Sequence, residues 1–377
     1  MNSVDRITHA LNFTETSKIP LDFGGHLITG IHYKAYENLI SYLGLSSLPV
    51  EIERYRHQTA RIDEQILTMF DIDTRPITPV WPDLVWEDTK TISRYTDEWG
   101  NVWKKNKEEG LYYELETSRF SSMPSIDELK KLPWPDFTKK RRIEGIKNRF
   151  KKIQELGKVP IVDLPLGLEM FDSGFYICGY SNYYMILALD PKAAEYIMDK
   201  QVDLQIEWWK QVIDELPDLK LIRIGDDLGS QNSTLIDPAM YRALVKPRHK
   251  RLFQAIKDYS KGRIKIIMHS DGAILPIIPD LIECGIDCLN PVQYTVDGID
   301  PKYLKQEFGK DLVLWGGGID TQSVLPTASP QEVRDEVRRQ IDILAPGGGF
   351  VFSQVHIVQA DVPPQNIVAM LEAVREY

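Results

Sequence analysis

The sequence predicts an α/β protein folded as a closed parallel (β/α)8 TIM barrel, with a β-rich insertion after the second strand. Short runs rich in β-branched residues alternate with helical patterns along the chain, and each of eight such runs has a helix available after it. An open doubly wound sheet is the competing arrangement, but its Gly-x-Gly-x-x-Gly fingerprint does not occur.

The first strand is read from IPLDFGG (19–25) and the second from FDIDTRPI (70–77). Residues 82–122 then break the alternation. They are rich in Trp, Tyr and Thr, with turn residues at Trp99-Gly100-Asn101 and Glu109-Gly110, which predicts a hairpin or small meander. Long insertions decorate the loop end of a barrel, so this one is expected to be a lid or a docking surface, leaving 1–377 a single unit. The run Lys139-Lys140-Arg141-Arg142 opens an amphipathic stretch and reads as a solvated face.

The later strands are VPIVDLP (159–165), LKLIRIGDD (219–227), RIKIIMHSD (263–271), GIDCLNP (285–291), DLVLWGGG (311–318) and GGFVFSQ (348–354). Between them PKAAEYIMDKQVDLQIEWWKQVIDEL places apolar residues at helical spacing after Asp190-Pro191, a helix-start signal. DPAMYRALVKPRHKRLFQAIKDYS, LPIIPDLIECG, SPQEVRDEVRRQIDIL and PPQNIVAMLEAVREY read likewise, several opened by Pro or Ser and followed by Gly.

Composition is that of a soluble globular chain, 43% hydrophobic and 27% charged over 377 residues, enough to bury a large core. Lys plus Arg number 45 against 55 Asp plus Glu, a net of -10, which argues against a nucleic-acid partner because phosphate binding needs clustered cations. The N-terminal stretch has no signal-type apolar run and no segment is apolar enough to span a bilayer, so neither export nor a membrane partner is expected. Cys178, Cys284 and Cys288 are too few for a disulfide framework, which suits a reducing, cytoplasmic compartment. Cys284-x-x-x-Cys288 falls at the N-terminal end of the strands and reads as core packing.

In such a barrel, residues just after each strand converge on one mouth. Those positions hold Gly24, Gly25 and His26; Arg75; Asp163 and Glu169; Asp226 and Asp227; His269 and Asp271; Asn290 and Gln293; Trp315 to Gly318 with Asp320; and His356. Each has a plain alternative. A lone His can be a loop hydrogen-bonder, Asp226-Asp227 can fix a turn, and Gly316-Gly317-Gly318 can either cradle phosphate or make a tight turn. Their coincidence on one rim favours chemistry, and His with Asp or Glu suits zinc or another divalent ion. In His269-Ser270-Asp271 the i, i+2 spacing aims both side chains the same way.

At these residues the sequence resembles the uroporphyrinogen decarboxylase superfamily. SVDRITHALNFTETSKIPLDFGG, GDDLGSQNSTLIDPAMYRALVKPRHKRLF, HSDGAILPIIPDLIECGIDCLNPVQ, WGGGIDTQSVLP and APGGGFVFSQVHIVQADVPPQNIVAM carry the resemblance, in the expected order across nearly the whole chain. It implies a (β/α)8 barrel and one of two chemistries: cofactor-free decarboxylation of uroporphyrinogen, or methyl transfer to the cobalt of a corrinoid on a partner protein, often with zinc in the mouth. Authentic decarboxylases carry Arg-Gln-Ala-Gly-Arg-Tyr after the first strand, where this chain has Gly24-Gly25-His26-Leu27-Ile28-Thr29. An octacarboxylate needs more cations than the remaining Arg75 and Arg223 supply.

Thiol-activating methyltransferases carry His-x-Cys after the fifth strand, whereas this chain has His269-Ser270-Asp271 and, later, Gln354-Val355-His356. Imidazole and carboxylate ligands leave a metal more able than thiolates do to polarise a substrate oxygen. The resemblance with this departure implies removal of a methyl group from a small oxygen- or nitrogen-bound donor. His269, Asp271 and His356 would hold metal, with His269, His356, Asp227 and Asp271 as the catalytic set. His26, Asp163, Glu169, Asn290, Gln293 and Trp315 would contact substrate. A metal-free version uses His269 as general acid. The chain has no Asp-x-His-x-x-Gly corrinoid ligand run, so cobalt would arrive on a separate protein. A homodimer follows from the resemblance alone. The competing readings are a carboxy-lyase, with His269 or Asp227 protonating a carbanion, and a ligand-binding barrel without catalysis.

Overall fold

The computed structural model describes residues 1–80 and 84–377. Seven parallel strands form one sheet in the order β13-β12-β11-β10-β9-β8-β3. They are β3 (Thr74–Ile77), β8 (Val159–Asp163), β9 (Leu221–Gly225), β10 (Lys265–His269), β11 (Cys288–Asn290), β12 (Val313–Trp315) and β13 (Phe350–Val351). Each is shorter than its sequence pattern, since the outer residues of every run already belong to loops. The first predicted strand, over 19–25, is not a regular strand, so the described residues form a curled seven-stranded sheet in place of the expected closed eight-stranded barrel. Leu21 makes one parallel bridge to Phe352, and its carbonyl accepts from the Asp73 N–H at 3.0 Å. Pro20–Asp22 thus hydrogen-bonds to both edges of the curled sheet.

Alternation sorts the side chains. Val159, Ile161, Leu221, Ile267, Cys288, Val313, Trp315 and Val351 form an inner cluster with Ile7 and Ala10 from the helix Ser3–Leu11. Their neighbours Val162, Ile222, Ile224, Ile266, Met268, Leu289 and Leu314 face the other way, into the larger core under the helices. At the next inward positions stand Asp163, Arg223, His269 and Asn290, all buried. Apolar packing below and polar groups above place the chemistry at the C-terminal ends of the strands.

The helices start where their caps say. Asp190 accepts from the Ala193 N–H before Pro191–Glu215, and Ser329 and Glu332 form a capping box before Pro330–Leu344. The stretch from Pro238 is interrupted by a π-turn, Tyr241–Val245, before the helix Lys246–Tyr259. Gly316 has φ 127°, and a Cβ there would lie 2.1 Å from the Pro291 carbonyl oxygen. The triple glycine is a close-packed turn. All three cysteines are free and buried.

Residues Val85–Thr117 hold a separate antiparallel sheet, β4 (Val85–Asp88), β5 (Ile92–Thr96), β6 (Val102–Asn106) and β7 (Glu114–Thr117). Residues 82 and 83, where the sequence places the start of the insertion, lie outside the described residues. The Asp97 carboxylate accepts from the N–H groups of Trp99 and Asn101, both at 2.9 Å, and fixes the β5–β6 turn. Tyr95, Trp103 and Tyr113 form its packed face, against Tyr55 and Tyr176. Two short strands, β1 (Ile52–Arg54) and β2 (Thr59–Ala60), pair antiparallel beside the mouth.

Candidate active site

A cleft of about 450 Å³ opens at the strand C-termini, its wall including Arg56, Glu169, Asp172, Arg223, Asp227, His269 and His356. β10 ends in His269, at an inward position of the strand, and its side chain lines the cleft. Asn290 fixes its ring. The amide Nδ2 of Asn290 donates to the Trp315 carbonyl at 2.8 Å, so its Oδ1 faces His269 Nδ1, also at 2.8 Å. Nδ1 must carry the proton, and Nε2 is left facing the cleft.

Around that nitrogen lie two carboxylates, Asp271 Oδ2 at 3.5 Å and Asp227 Oδ1 at 3.6 Å. His356 Nε2 sits 3.4 Å from the same Asp271 oxygen. His356 has φ 68°, a left-handed conformation unusual for a side chain of this size, and strain of this kind gathers at functional positions. Ligand atoms of His269, Asp271 and His356 all lie within 4.8 Å of one another.

The electrostatics follow from burial and proximity. Burial pulls the His269 pKa down, but the Asp271 and Asp227 carboxylates outweigh it and the net shift is upward. Burial pushes Asp271 up, and the two imidazoles overcome it, holding it below the ordinary carboxylate range. Burial, then the Asp271 charge, raises Asp227. Burial, followed by Asp227 and Asp226, raises Asp172 strongly. Desolvation also lowers His356, and His269 adds to the shift.

The other predicted residues divide by place. Glu169 lines the cleft and accepts from the Gly167 N–H at 2.8 Å. Asp227 binds the mouth together, its N–H donating to Asp172 Oδ2 at 3.0 Å. Asp226 turns away. It accepts from the N–H groups of Phe171 and Asp172 and pairs with His249 at 2.9 Å.

Five predicted substrate contacts lie outside the cleft wall. Asp163 is in the floor, where Arg54 and the Leu27 N–H occupy its Oδ2. Asn290 orients His269 from below. Trp315 is buried in the inner cluster and donates Nε1 to Asp22 at 2.7 Å. Gln293 accepts from the Gly272 N–H and shapes the loop after Asp271. His26 faces a neighbouring cavity of about 400 Å³, its Nε2 3.5 Å from Asp22 Oδ2. Arg75 is committed elsewhere, to a bidentate pair with Glu64.

Sequence reasoning missed Arg56, His57, Asp172 and Tyr176, all in the cleft wall. Arg56 and His57 sit on the turn between β1 and β2, strands too short for periodicity to show. Asp172 follows Glu169 by three residues on a loop, with no pattern to mark it. The Arg56 guanidinium lies 4.5 Å from the Trp103 ring centre and 4.2 Å from that of Tyr176, and donates to the Tyr176 hydroxyl at 2.6 Å. It ties the antiparallel sheet to the mouth. Beyond it lies a chamber of about 740 Å³ walled by Tyr55, Tyr95, Trp99, Trp103 and Leu166.

The chain is 24% identical over 260 residues to a methylated-thiol–coenzyme M methyltransferase of Methanosarcina mazei, the match covering 67% of this chain and 64% of that protein. It is also 24% identical over 283 residues to a uroporphyrinogen decarboxylase of Pseudoalteromonas atlantica, covering 71% and 74% of the two chains. A solved structure of a methyltransferase from Methanosarcina mazei superposes with a TM-score of 0.68 at 15% identity, over 100% of this chain and 99% of that one, a likeness of fold. The uroporphyrinogen decarboxylase (URO-D) family model matches residues 119–377, well over half of the chain. This protein therefore belongs to the URO-D family.

Proposed function

We propose that this protein is a methyltransferase that takes a methyl group from a small O- or N-methyl donor and passes it to a corrinoid on a partner protein. One observation carries the reading: His269 and His356 direct their Nε2 atoms at the same Asp271 oxygen, at 3.5 and 3.4 Å, beside the cleft. Ligands at about 2.0–2.1 Å from a tetrahedral zinc stand roughly 3.3 Å apart, so this donor set fits the ion. Such a metal, held by His269, Asp271 and His356, would supply Lewis acidity toward the donor's oxygen or nitrogen.

The chain's own groups do the rest. Asn290 holds His269 in the tautomer whose Nε2 can bind a cation or carry a proton to the departing atom. Asp227 lies at 3.6 Å from that nitrogen and, in a metal-free version, would steady the imidazolium. The insertion, joined to the mouth through Arg56, is the lid over the chamber and a face on which a carrier protein could dock.

Incubation with cob(I)alamin and a panel of methyl ethers and methylamines tests the reading, with growth of the methylcobalamin spectrum as the expected result. A carboxy-lyase is the second reading, favoured by the guanidiniums of Arg54, Arg56 and Arg223 around the site and by the decarboxylase relative. Carbon dioxide release from porphyrinogens without any cobalamin methylation would reverse the order.

A further inference from the structure

The cleft wall holds both signs of charge, with the carboxylates and imidazoles joined by the guanidiniums of Arg56 and Arg223. Arg223 comes from the inward face of β9. It is 3% exposed and lines the cleft. Its Nε and Nη1 are buried without a hydrogen-bond partner among the described residues. Its nearest carboxylate oxygen, Asp163 Oδ1, stands 3.7 Å from Nη1, beyond hydrogen-bond reach, while the other oxygen, Oδ2, accepts from Arg54 Nη2 at 2.9 Å. Two guanidiniums thus share one carboxylate, and a buried guanidinium with open donors is costly unless something fills them.

Local sequence explains how it reaches the cleft. Gly225 is two residues further along the same face, and a Cβ there would lie 2.8 Å from Arg223 Nη2. The missing side chain is the space in which the guanidinium lies.

We propose that Arg223 is the anion anchor of this cleft, and that the substrate carries a carboxylate which takes its open N–H donors. A singly charged carboxylate matches one guanidinium, whereas a phosphate dianion would stand too close to Asp172 and Asp227 for the cations available. The body of the substrate then lies toward Leu166 and Tyr176, the wall common to the cleft and the aromatic chamber. This inference rests on the reading of the cleft as the reaction site, and it narrows the methyl donor to one bearing a carboxylate.

Titration calorimetry of the full chain with benzoate and with benzamide, which share shape but not charge, tests it without any methyl acceptor. Benzoate is expected to bind roughly tenfold more tightly than benzamide. Arg223→Gln should erase that preference while leaving benzamide unchanged, and Arg223→Lys should keep part of it. Gly225→Ala retains every charge yet displaces the guanidinium, so it should also lose the preference, which decides the matter should Arg223→Gln fail to fold. Equal binding of the two probes, no benzoate binding, or a preference that survives in the folded variants would overturn the proposal. A preserved benzoate preference with no methyl transfer would sink the methyltransferase reading alone.

Discussion

At the scale of single residues, His269 shows how a side chain gains a defined role from a partner that never reaches the cleft. Asn290 is held by the Trp315 carbonyl and in turn fixes which nitrogen of His269 is protonated. Asn290→Ala should lower zinc affinity about 10- to 100-fold with the three ligands intact, read by competition with a chelator. Loss of metal altogether in His269→Ala, Asp271→Asn and His356→Ala, read by elemental analysis, is the companion expectation. His356 makes a second point. Its backbone sits where glycine is at ease, so His356→Gly should be more stable than His356→Ala by about 1 kcal/mol in chemical denaturation, though both lose the imidazole.

Among elements, the seam between the first segment and its neighbours is held by one carboxylate. Asp22 accepts from Thr74 Oγ1 and Trp315 Nε1, both at 2.7 Å, and from the Gly25 N–H at 2.8 Å. Burial nevertheless raises its pKa to about 6. The folded state therefore binds this proton more tightly than the unfolded chain, and the stability it brings is present below about pH 4 and lost as pH rises through 6. The unfolding free energy of wild type minus that of Asp22→Asn should fall by up to about 3 kcal/mol between pH 4 and 7.

The same segment marks the limit of what could be read from the chain. Continuous β-branched runs exposed the seven strands because a two-sided burial leaves no other composition. Residues 19–25 have the composition of a strand but make only a few backbone bonds, to Phe352 on one edge and Asp73 on the other, before turning into a loop. The His-x-Asp spacing after β10 was legible for the same reason the strand was, since position after a barrel strand decides direction. Arg56 was not, because its place depends on ring faces contributed by Trp103 and Tyr176 from distant stretches.

For the molecule as a whole, the ends of the chain meet beneath the sheet. Arg6 Nε donates to Asp73 Oδ1 at 2.9 Å, Arg375 stands 3.5 Å from Asp73 Oδ2, and the Leu21 N–H donates to that oxygen at 2.8 Å. Asp73 and Arg6 are almost wholly buried. Arg6→Ala would leave the carboxylate short of one cation and open the plug formed by Ile7 and Ala10, at a cost of about 3 kcal/mol, measurable as a lowered denaturation midpoint. Asp73 precedes β3, on the side where strands begin, while the reactive groups sit where strands finish. A purification tag, a surface-attachment linker or a fused carrier joined at either terminus thus starts from the far pole. A short graft leaves the entrance clear, and one meant to deliver cargo must be long enough to reach around the outer helices.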